Sequence, residues 1–357
     1  MSKGLLVGGL LVFAALFIAG LITGAIGAGL VQSEEDKEAG ETAEGPFVNK
    51  PAVHLPPQVI APSGSRDHYT DFLHAEHTKH KYGEAELDEH EKELLDEGPF
   101  LGNNFIITNT LLSCWAASIL LLLLFVLGAR KATLVPGRLQ NFCEIVIEAL
   151  LRFVEGTVGP GRSRMLFPVI ASIFLFVVIN AWIGLLPFYP ALGFLTDGKV
   201  EIHLLRPAGT DINMPLALAI VSFVFVEFLG IKMLGVGYFG KFVRARSLAS
   251  GMGALFRFKL LDAFQGLLDF FFVGPLEAFS EFVRLISFTF RLFGNMTAGE
   301  ILVLMSAFLV PFVATVGVYG LELLVGLIQG LIFAGLTLVF AAIAMTAHDH
   351  EGHEEHH

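Results

Sequence analysis

Residues 288–300 read Phe-Thr-Phe-Arg-Leu-Phe-Gly-Asn-Met-Thr-Ala-Gly-Glu, and they lead into an apolar stretch, 301–347, whose only charged side chain is Glu322. Arg291 stays protonated at physiological pH, so at membrane depth it needs a partner or a water-filled cavity. Such residues are functional candidates by default, although an arginine that snorkels to the headgroups, or pairs within a helix bundle, would satisfy the same sequence. The stretch therefore predicts membrane-embedded helices that carry a functional arginine.

The composition of the whole chain predicts an all-α polytopic membrane protein. Its 357 residues are 54% hydrophobic and 16% charged, and several uncharged runs exceed the roughly 18 to 20 residues that span a bilayer. The formal net charge of -11 belongs to one hydrophilic segment, because residues 34–97 contain 17 acidic and 6 basic side chains. Cys114 and Cys143 have no CxxC or repeated spacing, so they indicate neither a disulfide framework nor a metal site.

Four regions follow from the pattern of polarity along the chain. They are an apolar N-terminal anchor or signal segment at 1–33, an acidic hydrophilic segment at 34–103, a membrane domain at 104–347 and a His/Glu-rich tail at 348–357. Small residues near Ala28 would suit signal cleavage, but the length of the apolar run favours an anchor.

Histidines recur in the hydrophilic segment and in the tail. The spacing of His74, His77 and His80 could place two imidazoles on one helical face, where they could bind a metal. No established ligand frame surrounds them, so a solvated, pH-responsive polar segment is the favoured interpretation and no metal is expected. The same interpretation applies to the histidines of the tail.

Upright spans are predicted at Thr108–Ala129, Met165–Thr196 and Ile212–Val236, the second broken near Pro187 and Pro190. Residues 135–152 are typical of an interfacial helix. Basic clusters at the ends of these spans agree on one orientation, with the basic ends inside. The clusters are Arg130 and Lys131; Arg162 and Arg164; and Lys241, Arg244, Arg246, Arg257 and Lys259. If the first apolar run also spans, the acidic segment faces outward and is extracytoplasmic.

The last third predicts two helices that are too long to stand upright. Phe312–Ala347 would run to about 54 Å at 1.5 Å per residue, against a hydrocarbon core of about 30 Å. Leu276–Val310 has nearly the same excess length, and Pro311 separates the two. We therefore expect a long, steeply tilted, membrane-embedded helical hairpin that carries the arginine, unless a glycine breaks the second helix.

The polar residues of this hairpin fall in helical register. At about 100° per residue, Arg284, Arg291 and Asn295 share one face of the first helix, and Glu322 and Gln329 share a face of the second. Two tilted helices with isolated polar groups could line a polar path through the membrane.

One motif runs Arg291-Leu292-Phe293-Gly294-Asn295-Met296-x-Ala-Gly-Glu300, and Gln329 follows on the next apolar helix. This pattern resembles the signature of subunit a of F-type ATP synthases, the membrane stator that conducts ions past the rotating c-ring. Further matches upstream extend the resemblance over about 104–347. They are Val135-Pro136-Gly137-Arg138-x-Gln140, Leu185-Leu186-Pro187 and Thr210-Asp211-x-Asn213-Met214-Pro215. The resemblance implies that Arg291 is the essential arginine, Asn295 its polar neighbour, Glu300 the inlet acid and Gln329 the family's glutamine.

Two positions depart from the pattern of some bacterial relatives. Glu322 stands where they carry histidine, seven residues before the glutamine, and Gly184 stands where they carry aspartate. Paired carboxylates at membrane depth can share a proton, so Glu300 and Glu322 would still form a workable inlet path. We expect these two acids to lie close together between the long helices. The acidic segment before residue 104 is larger than expected for the family.

The resemblance implies a proton-conducting stator in the cell inner (plasma) membrane. Its partners would be the c-ring, the peripheral stalk b subunits, the lipid bilayer and the transported proton. Arg291 would favour the ionised form of ring carboxylates between two aqueous half-channels. Proton coupling is the default, with sodium as the alternative, since the ring ligands that decide it are not on this chain.

Other functional classes fit the sequence less well. A secondary transporter should show paired internal repeats with interrupted helices in both halves, and we find none in the sequence. A membrane scaffold would gain nothing from Arg291 among phenylalanines. The chain has no Walker-type phosphate loop or nucleophile constellation, so it predicts no catalysis, cofactor or nucleic-acid partner of its own. ATP chemistry would belong to partner subunits.

Overall fold

The structure, a computed structural model, describes residues 12–19, 57–61, 63–82, 88–97, 106–130, 136–186, 192–196, 199–235, 238, 264 and 268–346. Its regular elements are, in chain order, α1 (12–19), β1 (Val59–Ala61), α2 (Ser63–Tyr82), α3 (Glu89–Glu97), β2 (Ile107–Thr108), α4 (Asn109–Ala129), α5 (Arg138–Val158), α6 (Pro160–Gly184), β3 (Gly193–Thr196), β4 (Lys199–His203), α7 (Asn213–Leu234), α8 (Gly274–Leu309) and α9 (Val313–Thr346). The described chain is thus mainly helical, which confirms the predicted fold class.

Five of the described helices, α4 and α6 to α9, are long and apolar enough to cross a membrane. Large apolar side chains lie exposed along them, among them Leu122 on α4, Phe228 on α7 and Phe282 on α8. Contiguous apolar surface of this kind is rare on proteins that face water only. The protein is therefore a multi-pass membrane protein.

α5 is amphipathic and is not among those five helices. It buries Cys143, Leu150 and Val154 and exposes an ion pair between Arg152 and Glu148. The helix expected over 135–152 is present, and its interfacial location remains a prediction.

The predicted span Met165–Thr196 is interrupted, as its prolines indicated. α6 ends at Gly184, and the antiparallel hairpin β3–β4, which the sequence did not predict, follows. Pro187 and Pro190 follow Gly184 in sequence, and proline cannot donate the backbone hydrogen bond that a continuing helix needs. This hairpin leads directly into the loop that carries Arg206.

The two long helices of the last third are continuous. α8 contains 36 residues and α9 contains 34, which correspond to about 54 and 51 Å at 1.5 Å per residue. Between them Phe312 adopts a positive φ of 70° directly after Pro311. The excess length over a bilayer is present, and the steep tilt remains a prediction.

α9 is continuous through its glycines. Two of them sit against side chains of neighbouring helices. A Cβ at Gly326 would lie 2.8 Å from the Cβ of Ala181 on α6. A Cβ at Gly335 would lie 3.3 Å from Cζ of Phe153 on α5. Glycine at these positions lets helices approach closely, as is common in membrane bundles.

The fold divides into two compact units. The first contains the described residues up to Leu120, together with those of Val178–Asp211 and Gly294–Leu327. The second contains the described residues of Leu121–Val177, of Ile212–Phe293 and from Ile328 onward. The core of the second unit includes the fully buried side chains Val154, Leu166, Ile170, Val177, Leu229, Leu292, Phe333 and Leu338.

The hydrophilic segment contributes a small core to the first unit. β1 pairs antiparallel with β2, and α2 packs against β1 and α3. Tyr69, Ala75 and Leu94 are buried there. The apolar residues of this segment show no period in sequence, but a few of them from separate elements form a small core.

Several predictions from the sequence lie outside the described residues. They are the anchor beyond residues 12–19, the basic cluster at 241–259 and the histidine tail at 348–357.

Candidate functional site

A buried ion pair joins Arg206 to Glu300 in the first unit. Nη2 of Arg206 lies 2.9 Å from Oε2 of Glu300, and Nε lies 3.2 Å from Oε1. The Arg206 side chain is 8% exposed and that of Glu300 is 21% exposed. The guanidinium thus grips the carboxylate with two parallel hydrogen bonds, which is the strongest arrangement for this pair.

The loop that carries Arg206 is held from both sides. The backbone N–H of Arg206 donates to Oγ of Ser113 on α4 over 3.1 Å. The following turn, Ala208–Thr210, packs against α8 so closely that a Cβ at Gly209 would lie 2.7 Å from Cγ of Met296. This close approach requires glycine and fixes the position of the guanidinium.

Two neighbouring contacts complete this polar region. Oγ1 of Thr110 donates to a carboxylate oxygen of Asp211 over 2.9 Å. Gly184 lies against Pro207, and a Cβ there would lie 2.7 Å from Cγ of Pro207. The second contact explains the departure from the family pattern at Gly184, because an aspartate side chain would collide with the proline next to Arg206.

Glu322 lies against Gly299, the residue that precedes Glu300 on α8. A Cβ at Gly299 would lie 2.7 Å from Cδ of Glu322. The structure therefore brings α9 to the level of Glu300 through Glu322, which is half-buried. A relay between the two carboxylates remains a prediction.

A second ionic cluster surrounds Arg284 in the second unit. Its guanidinium pairs with Glu281 on the same helix and lies 3.8 Å from Oε1 of Glu227 on α7. Its Cζ lies 4.4 Å from the ring centroid of Phe340 and 5.6 Å from that of Phe223. Carboxylates and aromatic faces together stabilise this buried cation.

Tyr238 adds a hydrogen bond to that cluster through Glu227. Burial first, and then the negative charge of Glu227, raise the pKa of the Tyr238 phenol. Tyr238 also fills the space beside Gly230, where a Cβ would collide with the phenol ring. The cluster is thus packed as well as ionically paired.

Arg291 has different surroundings from the other two arginines. Its Cζ lies 6.0 Å from the ring centroid of Phe288. Within the part of the chain that the structure describes, no carboxylate lies within salt-bridge distance of Arg291. The side chain is half-buried, and Leu292 beside it is buried.

The other two candidates are placed as follows. Gln329 on α9 is 2% exposed and belongs to the second unit with Arg291. Asn295 on α8 is exposed and belongs to the first unit. Among the described residues, no group of three or more His, Cys, Asp or Glu side chains could hold a metal ion.

Sequence reasoning missed the roles of Arg206 and Glu227. Both are single charges in apolar surroundings, Arg206 after Leu204-Leu205 and Glu227 within the α7 span. That isolation was the available signal, since a charge at membrane depth needs a partner. The identity of each partner could not be read from spacing, because Glu300 lies 94 residues away.

Comparison with known proteins finds matches over most of the chain. The family model for the ATP synthase A chain matches residues 111–342, a range that contains Arg206 and Glu300 as well as the Arg284 cluster. The ATP synthase subunit a of Gloeobacter violaceus is 31% identical over 257 residues, covering 72% of this chain and 89% of the relative. Those of Desulfosudis oleivorans and Solidesulfovibrio magneticus are 32% and 30% identical, covering 65% and 66% of this chain and 85% and 83% of the relatives. The chain belongs to the ATP synthase subunit a family.

Proposed function

We propose that the chain is the proton-conducting stator subunit of a rotary F-type ATP synthase in the cell inner (plasma) membrane. As a proton-translocating Fo subunit it works in a complex with other Fo subunits. The specific partners we propose are the c-ring and the peripheral stalk b subunits. The chain itself is non-catalytic, and ATP chemistry resides in partner subunits.

The observation that carries the proposal is the contrast between Arg291 and its neighbours. Arg206 and Arg284 each pair with a glutamate of this chain, whereas Arg291 has no carboxylate within salt-bridge distance among the described residues. A half-buried guanidinium of this kind favours an anion supplied from outside the chain. A ring carboxylate that passes through lipid is such an anion.

The mechanism follows from the electrostatics of that encounter. A ring carboxylate in lipid is protonated, since burying the anion is expensive. Beside Arg291 the ionised form becomes favourable, so the proton leaves into one aqueous half-channel. The carboxylate is reloaded from the other half-channel, and the fixed positive charge between them repels direct passage of a hydronium ion. The membrane potential contributes about 2.3 kcal/mol per charge per 100 mV to net rotation.

The remaining candidate residues take their roles within this mechanism. Glu300 and Glu322 form the inlet path, Asn295 neighbours the arginine, and Gln329 lies on the facing helix. The N-terminal region 1–33 is an apolar anchor or signal segment, and the acidic segment 34–103 is extracytoplasmic.

Reconstitution tests the assignment to a rotary stator. The purified chain in liposomes should conduct no protons alone, and conduction should appear only when the c-ring is incorporated with it. The measurement is proton uptake driven by a potassium diffusion potential, with the ring alone as the control. Solute transport coupled to proton movement by the chain alone would favour a secondary transporter instead.

The inlet acids provide a second test, through single and double replacements. Glu300→Gln and Glu322→Gln should each slow proton flow and shift its pH profile, because either carboxylate alone still relays slowly. The double variant should lose far more than the singles predict, since neighbouring groups are not additive. Flux is measured in membrane vesicles at several pH values. A wild-type rate and profile in the double variant would remove both acids from the pathway.

A further inference from the structure

We propose that Arg206 is a positioning residue for Glu300: it holds the Glu300 carboxylate in one orientation, and proton transfer through that carboxylate depends on it. The inference rests on the proposed function, because it concerns how Glu300 works within the proton path. It also assigns a task to the hydrophilic segment, whose Gln58 is bonded to His203, three residues before Arg206.

The geometry carries the first step. Glu300 is bound by two parallel hydrogen bonds from a side chain that is itself 8% exposed. A carboxylate in such a fork must give up the guanidinium before it can hold a proton. Arg206 therefore fixes the orientation of the Glu300 carboxylate and competes with an arriving proton for the same oxygens.

The second step is that hydrogen bonds hold the backbone at Arg206 in a fixed position. Its backbone is anchored on Ser113, and Oγ of Ser113 donates in turn to the carbonyl oxygen of Asn109 at the start of α4. A guanidinium on a mobile loop would follow Glu300 and act as a surface ion pair. On this anchored loop it acts as a fixed charge.

The hydrophilic segment supplies part of the anchor. The side chain of Gln58 accepts from the backbone N–H of His203 over 2.8 Å, and its backbone N–H donates to Oδ1 of Asn109 over 3.2 Å. Asn109 also donates to the carbonyl oxygen of His203 over 3.3 Å. These bonds join the residue before β1 to both the start of α4 and the end of β4, three residues before Arg206.

α2 then places Tyr69 near the ion pair. Tyr69 is fully buried. Burial raises the pKa of its phenol to about 12, and the positive charge of Arg206 opposes that shift. The phenol is therefore neutral at physiological pH and contributes no competing charge beside the Arg206 and Glu300 pair.

Several other titratable groups lie on the elements around this pair. Tyr69 on α2 interacts with Arg206 and with Glu76, and Glu322 on α9 lies against Gly299. His203 on β4 and Asp211 after the turn flank the loop that carries Arg206. Asp211 is occupied by its bond from Thr110. Of these groups, Glu322 also belongs to the proposed proton relay. Variants of Glu300 are therefore needed to distinguish an effect on Glu300 from an effect on Glu322.

The experiment measures proton conduction through assembled Fo in inverted membrane vesicles, as a function of the pH inside them, which corresponds to the outer side of the cell. In Arg206→Gln the pH midpoint of conduction should shift away from that of the wild type, because Glu300 loses the guanidinium that orients it. Arg206→Lys keeps a cation without the planar fork, so its shift should be smaller. Adding Arg206→Gln to Glu300→Gln should produce no further shift, since the carboxylate that Arg206 orients is already gone.

Arg152→Gln is the matched control, because it makes the same chemical change at an ion pair whose side chains are 74% and 62% exposed. Its profile should match that of the wild type. A wild-type midpoint in assembled Arg206→Gln, or an equal shift in the Glu300→Gln background, would overturn the proposal. Loss of assembly in both the Gln and the Lys variants would make Arg206 a structural residue and would overturn it as well.

The same vesicles separate this proposal from the proposed function. An Arg291→Ala complex that assembles and pumps normally would reject the stator assignment. A wild-type midpoint in Arg206→Gln, together with loss of pumping in Arg291→Ala, would reject only the role of Arg206.

Discussion

Arg284 and Arg291 lie seven residues apart on one face of α8, yet they have opposite surroundings. Arg284 is 11% exposed, pairs with Glu281 and lies near Glu227 and between two aromatic rings. Arg291 has only the ring of Phe288, at 6.0 Å, and no carboxylate in salt-bridge range within the described residues.

The difference shows how to distinguish an arginine that is paired within the chain from one that can bind an anion of another subunit. Residue type and helix position are the same for both, so neither feature decides the role. A buried arginine whose carboxylates are supplied by the same chain is already neutralised, and removing it leaves unpaired negative charge. An arginine with no carboxylate of its own can act on an anion that another subunit presents.

The largest expected effect is that of Arg291→Ala. It should abolish ATP-driven proton pumping while assembly remains largely intact, because the lost group acts on passing carboxylates rather than on packing. Pumping is measured by fluorescence quenching in vesicles, and assembly by the amount of complex purified from the same membranes. Normal coupled pumping by the assembled variant would break the comparison.

Arg284→Gln should show the reverse pattern, with less complex assembled but each assembled complex active. Glu281 and Glu227 would lose their shared cation, and breaking a largely buried pair destabilises by about 3 kcal/mol or more. The readout is complex yield and its heat-inactivation temperature, compared with Arg291→Ala. If Arg284→Gln assembled normally but failed to pump, Arg284 would belong with Arg291 in the proton path.

Replacement by lysine should have a small effect on pumping at Arg284 and a large effect at Arg291. Arg284→Lys keeps a cation beside its carboxylates and loses mainly the stacking on Phe340, worth about 1 kcal/mol. Arg291→Lys should still lose coupled pumping, because a buried ammonium releases its proton readily and no longer provides a fixed charge. Pumping per assembled complex is the measurement, and equal activities in the two variants would contradict the distinction.

The helices of the membrane domain could be predicted from sequence because their signal is local. Apolar runs of sufficient length predicted α4, α7, α8 and α9 within a few residues of their observed ends. The hairpin β3–β4 was missed, since its strands are short and continue an apolar run in which proline had indicated only a break. The small core around Tyr69 was missed because its members come from separate elements with no period in sequence.

The sequence by itself determined that this is a membrane protein and in which order its long helices follow one another. It also determined that Arg291 lies in an apolar stretch of a helix. Each of these depends on residues that are near one another in the chain. The motif from Arg291 to Glu300 also sufficed to identify the family. Only the tertiary structure decided which charges are paired: Glu300 with Arg206, and Arg284 with Glu281 and Glu227. The physical reason is that an ion pair forms between groups that folding brings together, and residues separated by 94 positions leave no trace of that contact in local composition.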